Sequence, residues 1–199
     1  NEDVEQLDSA VGKLGARNRM HAVVLLYYAR ESMQDEAKSH GKIEDSESGI
    51  LSSRGVEILS LKAMGLTAFE ISKSIGVSLG TIKDHMTNIF RKLKVESASQ
   101  AIFEAIDSGV IDPQSLVPAD FDPAIFSKLS LRQIDVIMAK VENKGNAFNK
   151  DIALVLGVSE HTVKHHTAEI LSRLGARNKE QILTYYLEAR RRAREDAVA

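Results

Sequence analysis

The amino-acid sequence predicts an all-α protein assembled from two copies of a four-helix unit. Apolar residues recur at helical spacing along most of the chain, and no segment has a pattern that favours a strand. A ten-residue pattern also occurs twice, as Gly-Val-Ser-Leu-Gly-Thr-Ile-Lys-Asp-His in residues 76–85 and as Gly-Val-Ser-Glu-His-Thr-Val-Lys-His-His in residues 157–166. Repetition at this length indicates that one supersecondary unit was copied.

Composition excludes several classes of function. The chain has 199 residues, a formal net charge of −2 and no cysteine, so disulfides, thiolate metal sites and a cysteine nucleophile are ruled out. No signal peptide and no apolar run long enough to span a bilayer are visible, so we expect a soluble, cytoplasmic protein. We find no glycine-rich phosphate loop after a strand and no acid–base pair on a recognisable scaffold, so we expect neither an enzyme nor a cofactor.

The chain divides where its composition changes. Residues 32–50 are polar and charged, and residues 112–128 hold all three prolines. Residues 13–18 nearly repeat residues 173–178, which indicates a further, incomplete copy near the start. The predicted organisation is a partial repeat in 1–31, a flexible linker in 32–50, a first unit in 51–111, a connector in 112–128, a second unit in 129–191 and a basic tail in 192–199.

Both units contain the same series of helix-start signals. Thr67 and Glu70 form a capping box before the second helix of the first unit, and Ser78 and Ser159 each precede a third helix. The predicted helices of the first unit lie near 53–64, 67–75 and 79–93 and from 97 onward. Those of the second unit start at 130, lie near 147–156 and 160–174, and start again at 178.

The second unit carries an insertion. Leu129 follows Leu51 by 78 residues, whereas Gly157 follows Gly76 by 81 residues, so three residues are added between these points. They fall in the longer connection at 142–146, between the first and second helices of the second unit.

Three motifs of the first unit carry a family resemblance: Gly-Leu-Thr-x-x-Glu-Ile in 65–71, the pattern in 76–85 and Arg-Lys-Leu in 91–93. Together they resemble the LuxR/GerE-type helix-turn-helix, the DNA-binding module of the NarL/FixJ class of bacterial transcription regulators. The second unit matches through 157–166 and through Leu-Gly-Ala-Arg-Asn in 174–178. The resemblance covers most of both units, and finding the ordered set twice makes the signal specific.

The resemblance implies that each unit places its third helix in the major groove of double-stranded DNA. The helix before it and the Gly-Val turn would fix its angle, so that its first turn faces the groove. Two units in one chain are expected to occupy adjacent half-sites about one helical turn of DNA apart. The residues that the resemblance assigns to DNA contact are Thr81, Lys83, Asp84, Thr87, Arg91 and Lys92 in the first unit, and Thr162, Lys164, His165, Ala168 and Arg173 in the second.

Some features favour a protein-interaction module instead. The near-neutral net charge is not that of a general polyanion binder. Asp84 places a negative charge where phosphates are expected, and Ala168 offers only an apolar contact. In this alternative the helix-turn-helix units bind RNA polymerase or another regulator.

Two segments in fourth-helix positions are unusually apolar, residues 22–27 and residues 182–187. In the family that the sequence resembles, the fourth helix often forms a dimer interface. Because a helix that is apolar on most sides is normally covered, we expect these segments to pack on each other or on a second chain, as in a homodimer. The predicted interface residues are Val23, Val24, Leu26, Tyr27, Ile182, Leu183, Tyr185 and Tyr186.

Three histidines, His161, His165 and His166, raise a metal-binding interpretation. His161 and His165 are four residues apart, on one face of a predicted helix. No third ligand is apparent from the sequence, so we predict no metal site.

Overall fold

The computed structural model describes residues 50–145 and 147–198, with side chains up to Glu195. Within these ranges the fold is entirely helical and contains no strand, which confirms the predicted fold class. The partial repeat, the predicted interface residues Val23, Val24, Leu26 and Tyr27, and residues 32–49 of the linker lie outside the described residues. The helices are α1 (Ser53–Ala63), α2 (Ala68–Ile75), α3 (Leu79–Leu93), α4 (Ala98–Asp107), α5 (Leu131–Glu142), α6 (Asn149–Leu156), α7 (Glu160–Leu174) and α8 (Lys179–Val198).

Helix α3 and helix α7 have the predicted boundaries, whereas α6 begins two residues later than predicted, at Asn149. The delay has a local cause, because the Phe148 N–H donates to Asp151 Oδ2 at 3.1 Å and makes Phe148 the last residue before the helix. No helix in the described ranges is both long and apolar enough to cross a membrane.

The capping box predicted for α2 is confirmed. Thr67 Oγ1 accepts the Glu70 N–H at 3.2 Å, and Glu70 Oε2 accepts the Thr67 N–H at 2.7 Å. At the start of α4, Ser97 and Gln100 form only half of a capping box. Ser97 caps the Gln100 N–H, but the Gln100 side chain accepts from Glu96 rather than from Ser97.

A small apolar cluster fixes the angle between α2 and α3. Ile58, Ile71 and Ile82 come from α1, α2 and α3, and all three are almost completely buried. Between α2 and α3 the chain reverses at Gly76, whose φ of 69° is in the left-handed region that favours glycine. Gly157 holds the same conformation between α6 and α7, so both units present their third helix in the same way.

The connector contributes to the interior. It forms two short 3-10 helices, Pro113–Leu116 and Pro123–Lys128. Leu116 is buried in the core of the first unit, and Phe126 is buried in that of the second. The segment is therefore packed on both units in addition to linking them.

Helix α8 joins the two units. Residues 181–190 are all buried, and the helix packs on α1 and α4 of the first unit as well as on α5 and α7 of its own. The Thr184 hydroxyl donates to the Ala63 carbonyl at 3.1 Å. In return, Phe103 of α4 lies in the core cluster of the second unit. The two units thus share one interior.

Equivalent positions of the two units meet at this interface. Ser99 Oγ, in α4, donates to Glu180 Oε1, in α8, at 3.3 Å. The two residues are 81 positions apart, which is the offset that relates the units after the insertion. Contact between a residue and its own counterpart is what a two-fold axis produces.

The loops after α1 and α5 repeat this symmetry. A Cβ atom added to Gly65 would lie 2.8 Å from Gln181 Oε1, and one added to Gly145 would lie 3.1 Å from the Gln100 nitrogen and 2.7 Å from the Ser99 carbonyl oxygen. Gln100 and Gln181 are again 81 residues apart. Each unit therefore presses a glycine turn against the fourth helix of the other, and the two units form a pseudo-dimer within one chain.

The cover of the predicted interface can be described for α8. Its predicted interface side chains are buried inside the described chain, among helices of both units. The apolar character of α8 is explained by the pairing of units within one chain. The residues concerned are Ile182, Leu183, Tyr185 and Tyr186.

The predicted basic tail is corrected, because residues 192–198 continue α8. The carboxylate of Glu188, which has no exposed surface, accepts from Arg191 Nε at 2.8 Å and from Arg192 Nε at 2.6 Å. Burial raises the pKa of Glu188, but the two guanidinium groups outweigh it, and the pKa lies below its usual value. Arg192 also donates to the Phe121 carbonyl at 2.8 Å and so ties α8 to the connector.

Candidate nucleic-acid interface

The residues of the first unit that were predicted to contact DNA share the solvent-facing side of α3. Ile82 and Ile89 point the opposite side of the helix into the core. This division follows from the helical period, which brings every third or fourth residue to the same face. The exposed side chains are Lys83, Asp84, Thr87, Arg91 and Lys92, and Thr81 is half-buried.

The third helices of the two units, α3 and α7, begin with the same hydrogen-bonded turn. Ser78 Oγ accepts the Thr81 N–H at 3.0 Å, and the two hydroxyls are 2.9 Å apart. Ser159 and Thr162 repeat this arrangement at 3.0 and 2.8 Å. The threonine side chains are thereby fixed at the helix N-terminus, where the helix dipole attracts anions.

The cations of α7 are engaged within the chain. Lys164 Nζ lies 2.9 Å from Glu160 Oε1, and Arg173 Nη1 donates to the Lys128 carbonyl at 2.6 Å. DNA phosphates would have to compete with these partners. The exposed residues on this helix include Lys164, His165, Ala168 and Arg173, and Thr162 is half-buried.

Helices α3 and α7 differ in charge. With histidines counted as neutral, α3 has a net charge of +2 and α7 a net charge of zero. Helix α3 is therefore the more positively charged of the two. The contributing residues are Lys83, Arg91, Lys92 and Asp84 on α3, and Lys164, Arg173, Glu160 and Glu169 on α7.

No sequence pattern predicts that Glu169 is held by another helix. Gln133 Nε2, on α5, donates to Glu169 Oε2 at 2.8 Å. This hydrogen bond lowers the pKa of Glu169 below its usual value, so the group carries its negative charge at neutral pH. His165 and His166 lie beside it, with their Nδ1 atoms 3.7 and 3.6 Å from the same oxygen. Gln133 and Glu169 are 36 residues apart, so this arrangement becomes visible only when the packing of α5 against α7 is known.

An apolar patch distinguishes the helix that precedes α7. Leu154 and Val155, on α6, are 85% and 67% exposed. The offset of 81 aligns them with Lys73 and Ser74 of the first unit. The second unit thus exposes aliphatic side chains where the first exposes polar ones.

Two segments of the chain, residues 49–105 and 127–186, match the family described as bacterial regulatory proteins, luxR family. Together they cover more than half of the chain, and each contains one complete helix-turn-helix. The chain belongs to this family. Membership confirms the resemblance seen in the motifs, and it confirms the expectation of a regulatory protein rather than an enzyme.

Individual luxR-family relatives match over shorter stretches. The chain is 35% identical over 101 residues to the transcriptional activator protein YukR of Yersinia ruckeri, covering 49% of this chain and 44% of that protein. It is 31% identical over 106 residues to the transcriptional activator protein EchR of Dickeya chrysanthemi, covering 51% and 42%. The chain thus spans less than half the length of these relatives. No solved structure matches it.

Proposed function

We propose that this luxR-family protein binds double-stranded DNA in a sequence-specific way and acts as a bacterial transcription regulator, with α3 and α7 as its recognition helices. The observation that carries the proposal is the intramolecular pseudo-dimer, because reciprocal contacts join the two units while both recognition helices keep a solvent-facing side. The relatives named as transcriptional activators support the regulatory role.

In the first unit, the cations on α3 supply the affinity. Arg91 and Lys92 lie in the last turn and would contact the phosphate backbone, while Lys83 lies one turn into the helix, within reach of base edges. Lysine donates to the guanine O6 and N7 atoms, and the neighbouring Asp84 carboxylate can accept from the cytosine N4 amine. This pair therefore favours a G·C-containing half-site.

The second unit would bind a different half-site, and more weakly. Lys164 must leave Glu160 before it reaches a phosphate or a base, and breaking an exposed pair costs about 1 kcal/mol or less. His165 can donate to base acceptors, and the Ala168 methyl can contact the methyl group of thymine.

The pseudo-two-fold pairing also bears on the arrangement of the DNA site. Units related by a two-fold axis suit inverted half-sites, as in dimeric helix-turn-helix proteins. We therefore propose that one chain covers an imperfect inverted repeat, with its unlike halves about one helical turn apart.

A titration with random and genomic DNA at 50 and 200 mM salt tests this function. Binding through several phosphates should weaken steeply between these salt concentrations, and Lys83→Ala should reduce both the affinity and the salt slope. Lys164→Ala should have a smaller effect. The matched control is Arg132→Ala, which removes an exposed arginine on α5 and should leave DNA binding unchanged.

Two results would count against the proposal in different ways. Absence of DNA binding at 50 mM salt would reject DNA as the ligand. A footprint that covers only one half-site would reject the use of both recognition helices while leaving DNA binding intact.

A second candidate function, contact with RNA polymerase or another regulator, is favoured by the exposed apolar patch on α6. A surface with Leu154 and Val155 in solvent can bury apolar area against a protein partner. Leu154→Glu should weaken binding to purified RNA polymerase and leave DNA affinity unchanged, whereas Ser74→Glu on the matching surface of the first unit should change neither. Equal polymerase binding by the wild type and by Leu154→Glu would remove this candidate.

A further inference from the structure

We propose that His165, His166 and Glu169 on α7 form a binding site for a divalent transition-metal ion of the zinc type. One potential ligand atom from each of the three residues lies within 4.8 Å of the other two. The Nδ1 atoms of His165 and His166 are 3.7 and 3.6 Å from the same carboxylate oxygen.

The ligand set suits this class of ion. Two imidazole nitrogens and one carboxylate oxygen form one of the sets in which zinc is bound by three protein ligands, with a fourth position left for water or another group. Ligand atoms around a tetrahedral zinc ion are about 3.3 Å apart, as follows from bond lengths of about 2.0 Å. The His–Glu distances exceed this spacing by only a few tenths of an ångström, which small side-chain rotations can supply. Because the His165 side chain is largely exposed, the ion would keep an open side toward solvent.

His166 supplies an independent reason. Its Nδ1 atom is buried and has no hydrogen-bond partner in the part of the chain that the structure describes. Folded proteins seldom leave a buried polar atom unsatisfied, and a coordinated ion is one way to satisfy it. The neighbouring Glu169 oxygen is too far away to form a hydrogen bond, but it is at a suitable distance to share a metal ion with this nitrogen.

Gln133 holds the carboxylate in position. This residue of α5 is almost completely buried, its Oε1 accepts the Ser130 N–H at 2.9 Å, and its Nε2 donates to Glu169 Oε2 at 2.8 Å. An amide anchored in this way holds the Glu169 carboxylate beside the two imidazoles through the same oxygen that they approach, and hydrogen bonds that orient a ligand in this manner are usual around metal sites. Support from a second helix distinguishes this cluster from acidic and histidine side chains that merely share a surface.

The site belongs to the second unit alone. At the offset of 81, the first unit has Asp84, His85 and Asn88 in the corresponding positions. Asn88 lacks the negative charge of Glu169, so the first unit cannot assemble the same ligand set. It offers a matched internal control.

The test is a titration of the full chain with Zn²⁺ by isothermal calorimetry, using tag-free protein in a non-chelating buffer without DNA. One equivalent should bind, and Glu169→Gln and His165→Ala should each weaken binding by about tenfold or more. His161→Ala and His85→Ala should leave the affinity unchanged. Circular dichroism of every variant checks that it is folded. Because the His165 side chain is exposed, its substitution should disturb the fold least.

Three outcomes would overturn the proposal: no uptake near one equivalent, equal affinity in the wild type and Glu169→Gln, or loss of binding in His161→Ala. The third would point to the pair His161 and His165 instead. Because the measurement contains no DNA, its failure is distinguishable from a failure of the proposed DNA-binding function.

Discussion

Replacing Gly145 by alanine tests the contact between the two units directly. The glycine has a φ of 77°, and a Cβ added to it would lie 2.7 Å from the carbonyl oxygen and 2.8 Å from the carbonyl carbon of Ser99. Both atoms belong to the backbone of α4, so neither can move aside as the end of a side chain could. The substitution should therefore separate the loop after α5 from the first unit.

The expected loss of unfolding free energy in Gly145→Ala has two parts. An alanine in the left-handed region costs about 1–2 kcal/mol, and overpacking against fixed atoms costs about a further 1–3 kcal/mol. Gly109 isolates the first part, because its φ is 73° and a Cβ there would meet nothing within 4 Å. Gly145→Ala should therefore lower the unfolding free energy by about 1–3 kcal/mol more than Gly109→Ala. For a chain of this size, the extra loss corresponds to roughly 3–10 °C in Tm.

The assay is thermal unfolding of the wild type and the two variants, followed by circular dichroism at one protein concentration. Gly145→Ala should also broaden the transition if the units begin to unfold separately. Equal Tm values for the two variants would refute the reasoning. The loop after α5 would then not press on α4, and the pseudo-two-fold pairing behind the proposed half-site geometry would lose one of its two loop contacts.

Three further outcomes are expected from the same structure. Ile82→Ala should lower the free energy of unfolding in urea by about 2–5 kcal/mol, because this side chain lies on the inner face of α3 and is fully buried. Leu154→Ala, at an exposed site, should change it by less than about 0.5 kcal/mol. Glu188→Ala should cost about 3 kcal/mol, since it leaves two guanidinium groups without their buried partner. The Thr67 backbone and the Arg177 side chain lower the pKa of Glu70 from 4.5 to about 2, so the stability this carboxylate adds is complete above pH 4.5 and is lost as the pH falls toward 2. Glu70→Gln should flatten that part of the pH–stability profile, and an unchanged profile would contradict the assignment.

Helices α3 and α7 could be predicted from sequence because their signals are local. Ser78 and Ser159 lie next to the helices they cap, and the apolar period of α3 separates its buried and exposed faces within one segment. The positions predicted to contact DNA are counted along the same helices, and most of them are exposed. Their placement on the solvent side therefore required no knowledge of tertiary structure.

The arrangement of the units could not be predicted, because it depends on contacts between distant residues. The apolar stretch of α8 indicates burial but does not say which surface covers it. The Ser99–Glu180 hydrogen bond joins residues 81 positions apart, and the Gln133–Glu169 hydrogen bond joins residues 36 apart. The repeat offset marks Ser99 and Glu180 as counterparts but does not show that the units meet there, and no pattern in the sequence connects Gln133 with Glu169.

The packed connector between the units has a consequence for behaviour on dilution. Two separate subunits dissociate at low concentration, whereas halves joined by a short segment experience an effective concentration in the millimolar range. A few molecules per cell would therefore remain fully assembled. Since each half is encoded separately, a codon change can alter α3 or α7 alone and leave its counterpart untouched, a freedom that an ordinary homodimer lacks.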